Sequence, residues 1–169
     1  MVITQSDIAS QIGFKVIEGG GNAIDAAVAT ALAMAVTHPT AGNIGGVGFI
    51  VYRPATGEPL SYDFREMAPG RASPEMWLKD GKYDFDTHHN SHLSVGVPGT
   101  VAGLHMAWKE QGSKPWKELV QPAIAIALLA LASACAEDNP DRPGDQAVHP
   151  ECDRPAGARL DMRAPESVV

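Results

Sequence analysis

Apolar residues spaced three and four positions apart predict a helix near the start of the chain. Ile8, Ile12 and Val16 fall on one helical face, as expected for an amphipathic helix. Ser6 precedes this face and can cap the helix, and the glycines at 19–21 end it. The sequence therefore predicts a short surface helix between these signals.

A second helix is predicted from Ala23 to about Thr37. Asn22 is its N-cap, and Asp25 stands three residues later, as in a capping box. Pro39 forces the preceding residue out of the helical region and ends the helix. The segment is apolar on all sides, which predicts that it is buried between layers.

The next segments predict an antiparallel hairpin. A glycine-rich turn (42–48) leads into apolar residues 49–52, and a second turn at 54–57 precedes residues 60–64. Residues 2–4 are a further short strand candidate. Alternating helices and hairpin strands predict an α+β or layered α/β domain.

Three further helices are expected along the rest of the ordered sequence. The first starts at Ser73 and Pro74 and is closed by residues 80–81. The second covers 101–110. The last begins at Trp116, is outlined to Ala127, and is interrupted or kinked at Pro122.

The composition changes near residue 128. From there to the end are eight acidic residues, four arginines and five prolines, with no lysine, threonine or aromatic residue. Such a segment cannot bury enough apolar surface to offset its ordering entropy. We therefore expect an ordered segment over 1–127 and a divergent, disordered tail over 128–169.

Charge and hydropathy exclude several classes of protein. The net charge of -7 argues against nucleic-acid partners, which require clustered lysine and arginine. The longest charge-free apolar stretch, 123–136, is shorter than a membrane span, so no span is expected. The first seven residues lack the features of a signal peptide, so the sequence as it stands predicts a soluble, unexported chain.

Few cofactor signals are present. The glycine-rich segments at 19–22 and 42–48 match neither the dinucleotide fingerprint nor a phosphate-binding loop, which favours tight turns. His88, His89 and His92 could offer three imidazoles, but Asn90 and Ser91 do not suggest a helix that would bring them together. The predicted site therefore contains no metal and no cofactor.

Arg65 is the candidate binding residue. It follows the second hairpin strand, where a strand end can direct a side chain into a cleft. Its planar guanidinium suits bidentate capture of a carboxylate. The alternative is a weak surface ion pair with Asp63 or Glu66, which from the residues alone is the more common outcome.

Taken together, the motifs resemble those of the γ-glutamyltranspeptidases. The resemblance is carried, in order along the chain, by residues 20–29, 37–49, 63–69, 91–93, 96–103 and 116–123. It covers about 125 residues and stops near Ala127. Val47 departs from the four-glycine run that is usual before the phenylalanine.

The resemblance implies an N-terminal-nucleophile hydrolase with an αββα fold, present here only as its N-terminal part. It implies hydrolysis or transfer of the γ-glutamyl group of glutathione and γ-glutamyl amides. It assigns Arg65 to the substrate α-carboxylate. It also implies a nucleophilic threonine as the first residue of a small subunit, which lies far downstream in the family's sequence. No part of 136–169 resembles that subunit.

Two interpretations follow. In the first, the chain is the amino-terminal piece of such an enzyme, contains no catalytic residue of its own, and needs the missing small subunit for activity. In the second, it is a non-catalytic remnant or carboxylate-binding module. A frameshift that produces residues 128–169 from the wrong reading frame is a third hypothesis, motivated by the composition change.

Overall fold

The computed structural model describes residues 1–46 and 48–136, without the side chains of 134–136. The chain divides into two compact units, Met1–Ala127 and Leu128–Val169. The predicted disorder of the tail from residue 137 onward lies outside the described residues.

Two capped helices begin the fold as the sequence predicts. Helix α1 (Asp7–Glu18) is capped by Ser6, whose side chain accepts from the Ala9 N–H. Helix α2 (Ala23–Thr37) begins with the full capping box of Asn22 and Asp25. The two helices pack along each other. They approach so closely that a methyl group at Gly13 would overlap the Thr30 hydroxyl.

The predicted hairpin is confirmed. Strands β1 (Phe49–Tyr52) and β2 (Leu60–Asp63) pair antiparallel, with Ile50 opposite Tyr62. Tyr62 is buried, and its hydroxyl donates to a Glu110 carboxylate oxygen at 2.9 Å. Burial and this hydrogen bond raise the pKa of the Tyr62 phenol.

Helix α4 (Thr100–Gln111) covers this hairpin on one side and contacts α2 on the other. The largest fully buried side chains come from α2, α4 and the start of the last helix. The central cluster comprises Ile24, Val28, Ala29, Tyr62, Leu104, Ala107 and Leu119. The apolar character of α2 is thus explained by a core that contacts it from several directions.

The segment 73–90 differs from its prediction. The helix expected from Ser73 is a 3₁₀ turn at Pro74–Trp77 followed by a small ribbon of β3 (Leu78–Lys79) and β4 (Lys82–Tyr83). Asp80 and Gly81 connect these strands with φ of 52° and 74°. Positive φ at both central residues is typical of a two-residue hairpin turn, so these residues reverse the chain rather than end a helix.

A five-residue helix that was not expected follows this ribbon. Helix α3 (Phe85–His89) is capped by Asp84, and a second 3₁₀ turn covers His92–Ser94. The strand proposed at residues 2–4 is wrong. The Thr4 N–H donates to the Ser10 hydroxyl at 3.0 Å, so this segment bonds to the start of α1 and not to a strand.

Helix α5 (Trp116–Ala136) continues through Pro122, so of the two expected outcomes, an interruption or a kink, the interruption is not found. It also extends nine residues past Ala127, where the sequence placed the end of order. Among the described helices, α5 alone is long and apolar enough to cross a membrane, over Trp116–Ser133. That criterion uses length and composition only, and core helices of soluble proteins also satisfy it.

Asp25 connects the start of α2 to the turn between α4 and α5. Its side chain is fully buried and accepts from the Asn22 N–H at 2.9 Å, the Ser113 N–H at 3.0 Å and the Ser113 hydroxyl at 2.5 Å. Burial by itself raises the pKa of this carboxyl, but the hydrogen bonds from Ser113 and its neighbours outweigh burial and hold the pKa below 3.8. The charged form is therefore the one that the fold stabilises.

We expect Asp25→Asn to lower the free energy of unfolding by about 2–3 kcal/mol at pH 7, since it removes charge-assisted hydrogen bonds from a buried site. Because the folded pKa is depressed, this stabilisation is present above pH 3.8 and is lost as the pH falls through the lowered pKa. The difference between wild type and variant should therefore shrink below pH 3.8. Urea unfolding of both proteins between pH 7 and pH 3 measures this difference in the free energy of unfolding.

The matched control is Glu58→Gln, which neutralises an exposed carboxylate. We expect it to change the free energy of unfolding by less than about 0.5 kcal/mol. An Asp25→Asn protein as stable as this control at pH 7 would contradict the structural role of Asp25.

Candidate functional site

Three backbone segments meet where strand β2 ends. The Phe64 N–H donates to the Gly48 carbonyl at 3.1 Å, and the Gly99 N–H donates to the Gly45 carbonyl at 2.7 Å. Met67 and Val97 form an isolated antiparallel bridge with hydrogen bonds of 3.3 and 2.8 Å. We call this arrangement the three-segment junction. It fixes the backbone on both sides of Arg65.

Phe64 occupies the centre of the three-segment junction, between three glycines. A methyl group on Gly48 or Gly103 would overlap the Phe64 side chain, and one on Gly99 would overlap the Phe64 carbonyl. Gly99 precedes α4 and Gly103 lies one turn further on, so the two glycines lie on the same side of the helix start. Only residues without a side chain allow the strand end and helix α4 to pack this closely.

Glu66 lies in a similar glycine cradle. A methyl group on Gly46 would come within 2.7 Å of the Glu66 Cβ, and one on Gly96 within 2.9 Å of its Cγ. From the sequence, Glu66 is expected only as a surface partner of Arg65, and neither Phe64 nor these glycines are predicted as parts of the site. The spacing of Gly99 and Gly103 at the start of a predicted helix is the signal that could have indicated a close approach.

The Arg65 side chain lies at the surface, 54% exposed, beside Glu66 at 36%. Its guanidinium donates to a Glu66 carboxylate oxygen at 3.3 Å, and its backbone N–H donates to an Asp63 carboxylate oxygen at 3.0 Å. A guanidinium has five N–H donors, so one contact with Glu66 leaves capacity for a carboxylate ligand. The structure thus contains the surface ion pair with Glu66 that the sequence offered as the alternative.

A cavity of about 270 Å³ opens beside Arg65. Asp63, Phe64, Arg65 and Met67 line one side of it, and residues between Val97 and Met106 line the other. Met67 and Val97 are largely exposed, so the mouth of the cavity is apolar, while Arg65 contributes a positive charge and Asp63 a negative one. Apolar surface with a few polar groups is typical of small-molecule sites.

Two of the three candidate histidines come together away from this cavity. Helix α3 places both His88 and His89 within 3.0 Å of the Tyr83 hydroxyl, but it ends at His89, so no helix through Asn90 and Ser91 brings all three imidazoles together. His92 lies in the separate 3₁₀ turn. In the part of the chain that the structure describes, no group of three or more His, Cys, Asp or Glu side chains could hold a metal.

Comparison with known proteins identifies the family. The family model for gamma-glutamyltranspeptidase matches residues 9–129. The chain is 47% identical over 128 residues to the glutathione hydrolase proenzyme of Escherichia coli (strain K12), which covers 75% of this chain and 22% of that protein. The chain therefore belongs to the γ-glutamyltranspeptidase family, and it spans about a fifth of the length of the curated relatives that it matches.

Solved structures show the same fold. The crystal structure of Helicobacter pylori γ-glutamyltranspeptidase matches with a TM-score of 0.71 and 42% identity, covering 80% of this chain and 42% of that one. The Pseudomonas nitroreducens enzyme complexed with L-DON matches with a TM-score of 0.69 and 36% identity, covering 80% and 43%. The fold is thus that of the corresponding part of these enzymes.

We expect Gly103→Ala to lower the free energy of unfolding by about 1–3 kcal/mol, because the new methyl group has no room beside Phe64. In an open helix the same change would instead stabilise by about 0.5–1 kcal/mol, so the sign is diagnostic. Urea denaturation followed by circular dichroism measures the difference.

The control for this substitution is Gly70→Ala, where a methyl group would meet nothing within 4 Å. It should leave the free energy of unfolding within about 0.5 kcal/mol of wild type. Stabilisation by Gly103→Ala would show that there is room for a methyl group between Gly103 and Phe64.

Proposed function

We propose that this chain supplies the α-carboxylate-binding part of an enzyme that hydrolyses or transfers the γ-glutamyl group of glutathione and γ-glutamyl amides. Arg65 is the residue that binds the carboxylate. The observation that carries this proposal is the position of Arg65 at the rim of a cavity, on a backbone fixed on both sides by the three-segment junction.

The electrostatics of Arg65 support exchange with a ligand. An exposed ion pair contributes only about 0–1 kcal/mol, so the contact with Glu66 is readily replaced. A substrate carboxylate can accept two parallel N–H bonds from one guanidinium, each worth about 1.5–3 kcal/mol when partly buried. Binding is therefore favoured once a substrate covers the cavity and excludes water.

The reaction itself is assigned to the assembled protein. The resemblance places the nucleophilic threonine on a small subunit, and this chain spans about a fifth of its curated relatives. We propose that the 169 residues bind and position substrate but contribute no catalytic group.

The hairpin fits a layered αββα arrangement in the intact protein. Phe49 and Val51 on β1 are 58% and 79% exposed, although strands of this composition normally bury such side chains. We propose that further strands and helices of the intact enzyme cover this face.

The role of Arg65 is tested in a chimera in which residues 9–127 replace the matching segment of the E. coli glutathione hydrolase. We expect Arg65→Ala to lower kcat/KM for glutathione by roughly 10- to 100-fold, mainly through KM, because one or more charged hydrogen bonds are lost. Arg65→Lys should also be impaired, since lysine keeps the charge but cannot form the bidentate contact.

Arg53→Lys in the same chimera is the matched control, because Arg53 is exposed at the end of β1 and away from the cavity. It should leave kcat/KM unchanged. Equal activity of Arg65→Ala and wild type would refute the assignment of Arg65.

A second measurement tests the isolated chain. We expect the purified 169-residue protein to give no release of aniline from a γ-glutamyl anilide above a no-protein control, because the nucleophile is supplied elsewhere. Turnover that co-purifies with the chain and is lost in Arg65→Ala would show instead that the chain is an enzyme by itself.

A further inference from the structure

Four rings form a continuous stack on the surface around helix α3. Ring centroids are 4.5 Å apart for Trp77 and His88, 4.4 Å for His88 and His89, and 4.1 Å for His89 and Phe85. Each imidazole thus contacts two other rings. This stack shares no residue with the cavity beside Arg65 and does not depend on the function proposed for it.

Both imidazoles reach the same atom. The Tyr83 hydroxyl lies 2.8 Å from the His88 Nδ1 and 3.0 Å from the His89 Nε2. A phenol hydroxyl has a single hydrogen, so it can donate to one imidazole only and must accept from the other. Two nitrogens and one oxygen therefore point into one small region that is open to solvent, since Tyr83 is 56% exposed.

These separations match those between neighbouring ligands of a transition-metal ion. Ligands about 2.0–2.1 Å from a metal and at right angles to each other lie about 2.8–3.0 Å apart. The Tyr83 oxygen makes this separation with each of the two nitrogens. When a cation binds, the phenol proton leaves to solvent and the donating imidazole moves its proton to its other ring nitrogen. One oxygen and two nitrogens with free lone pairs then face the cation.

We propose that His88, His89 and Tyr83 form a surface site for a divalent transition-metal ion, Cu²⁺ above all. Imidazole nitrogens favour Cu²⁺, Ni²⁺ and Zn²⁺, whereas Mg²⁺ and Ca²⁺ prefer carboxylate and carbonyl oxygens. A tetragonal arrangement of nitrogen and oxygen ligands is typical of Cu²⁺. Water completes the coordination, because the described residues gather no third His, Cys, Asp or Glu ligand there.

Local structure holds these ligands in place. The Asp84 carboxylate accepts from the Thr87 N–H at 3.0 Å and from its hydroxyl at 2.5 Å, which fixes the start of α3. The Asn90 side chain donates to Asp86 at 2.9 Å and fixes its end. Part of the entropy cost of ordering these side chains is therefore already met before the metal binds.

The test is titration of the folded 169-residue chain with Cu²⁺ alone, followed by calorimetry and by electron paramagnetic resonance. We expect one ion bound per chain, with nitrogen hyperfine structure from two imidazoles. The double variant His88→Gln/His89→Gln should weaken binding at least tenfold, and Tyr83→Phe should weaken it a few-fold. An excess of Mg²⁺ should not compete.

His38→Gln and His105→Gln are the matched controls, because each removes one imidazole outside the stack and should leave the Cu²⁺ affinity unchanged. Circular dichroism of all variants reports whether the fold is kept. Unchanged affinity in the double variant, or an equal loss in either control, would overturn the proposal, and so would a resonance spectrum without nitrogen coupling.

Discussion

The packing of Phe64 among glycines is the contact on which the rest of the site depends. Gly48, Gly99 and Gly103 all lack the methyl group that would overlap Phe64. Because these residues have no side chains, the end of β2, the glycine-rich loop and the start of α4 can approach closely enough for their backbones to form hydrogen bonds. Arg65 inherits its position from this packing, because it is the next residue along the chain. The Arg65 side chain is thus attached to a backbone that is held on both sides by hydrogen bonds and packing.

A second close contact holds the opposite end of the domain. Buried Asp25 joins the first turn of α2 to the turn after α4, so one carboxylate both caps a helix and satisfies the backbone N–H of Ser113. The two contacts lie at opposite ends of α4, where Gly99 and Gly112 are its caps. The orientation of α4 is therefore fixed at both ends by interactions that tolerate little change.

Much of this fold could be predicted because the signals are local. Caps such as Ser6 and Asn22 act within three residues, and the hairpin follows from alternation around a turn. The region around residue 80 could not be predicted in the same way. Asp80 and Gly81 suit either a helix stop or a two-residue turn, and only the pairing of Leu78 with Tyr83 decides between them. The glycine packing around Phe64 also depends on residues far apart in sequence. The sequence could therefore point to Arg65, but it could not predict which residues surround it.

The ion pair between Arg65 and Glu66 is compatible with the carboxylate-binding role that we propose for Arg65. A neighbouring carboxylate that bound the guanidinium strongly would compete with any substrate, whereas an exposed pair at 3.3 Å binds it weakly. Gly46 and Gly96 approach the Glu66 side chain closely, and Glu66 does not line the cavity. In the function that we propose, this pair orients the Arg65 guanidinium until a substrate carboxylate replaces Glu66. Under that proposal, the surface ion pair and the carboxylate clamp are two states of Arg65.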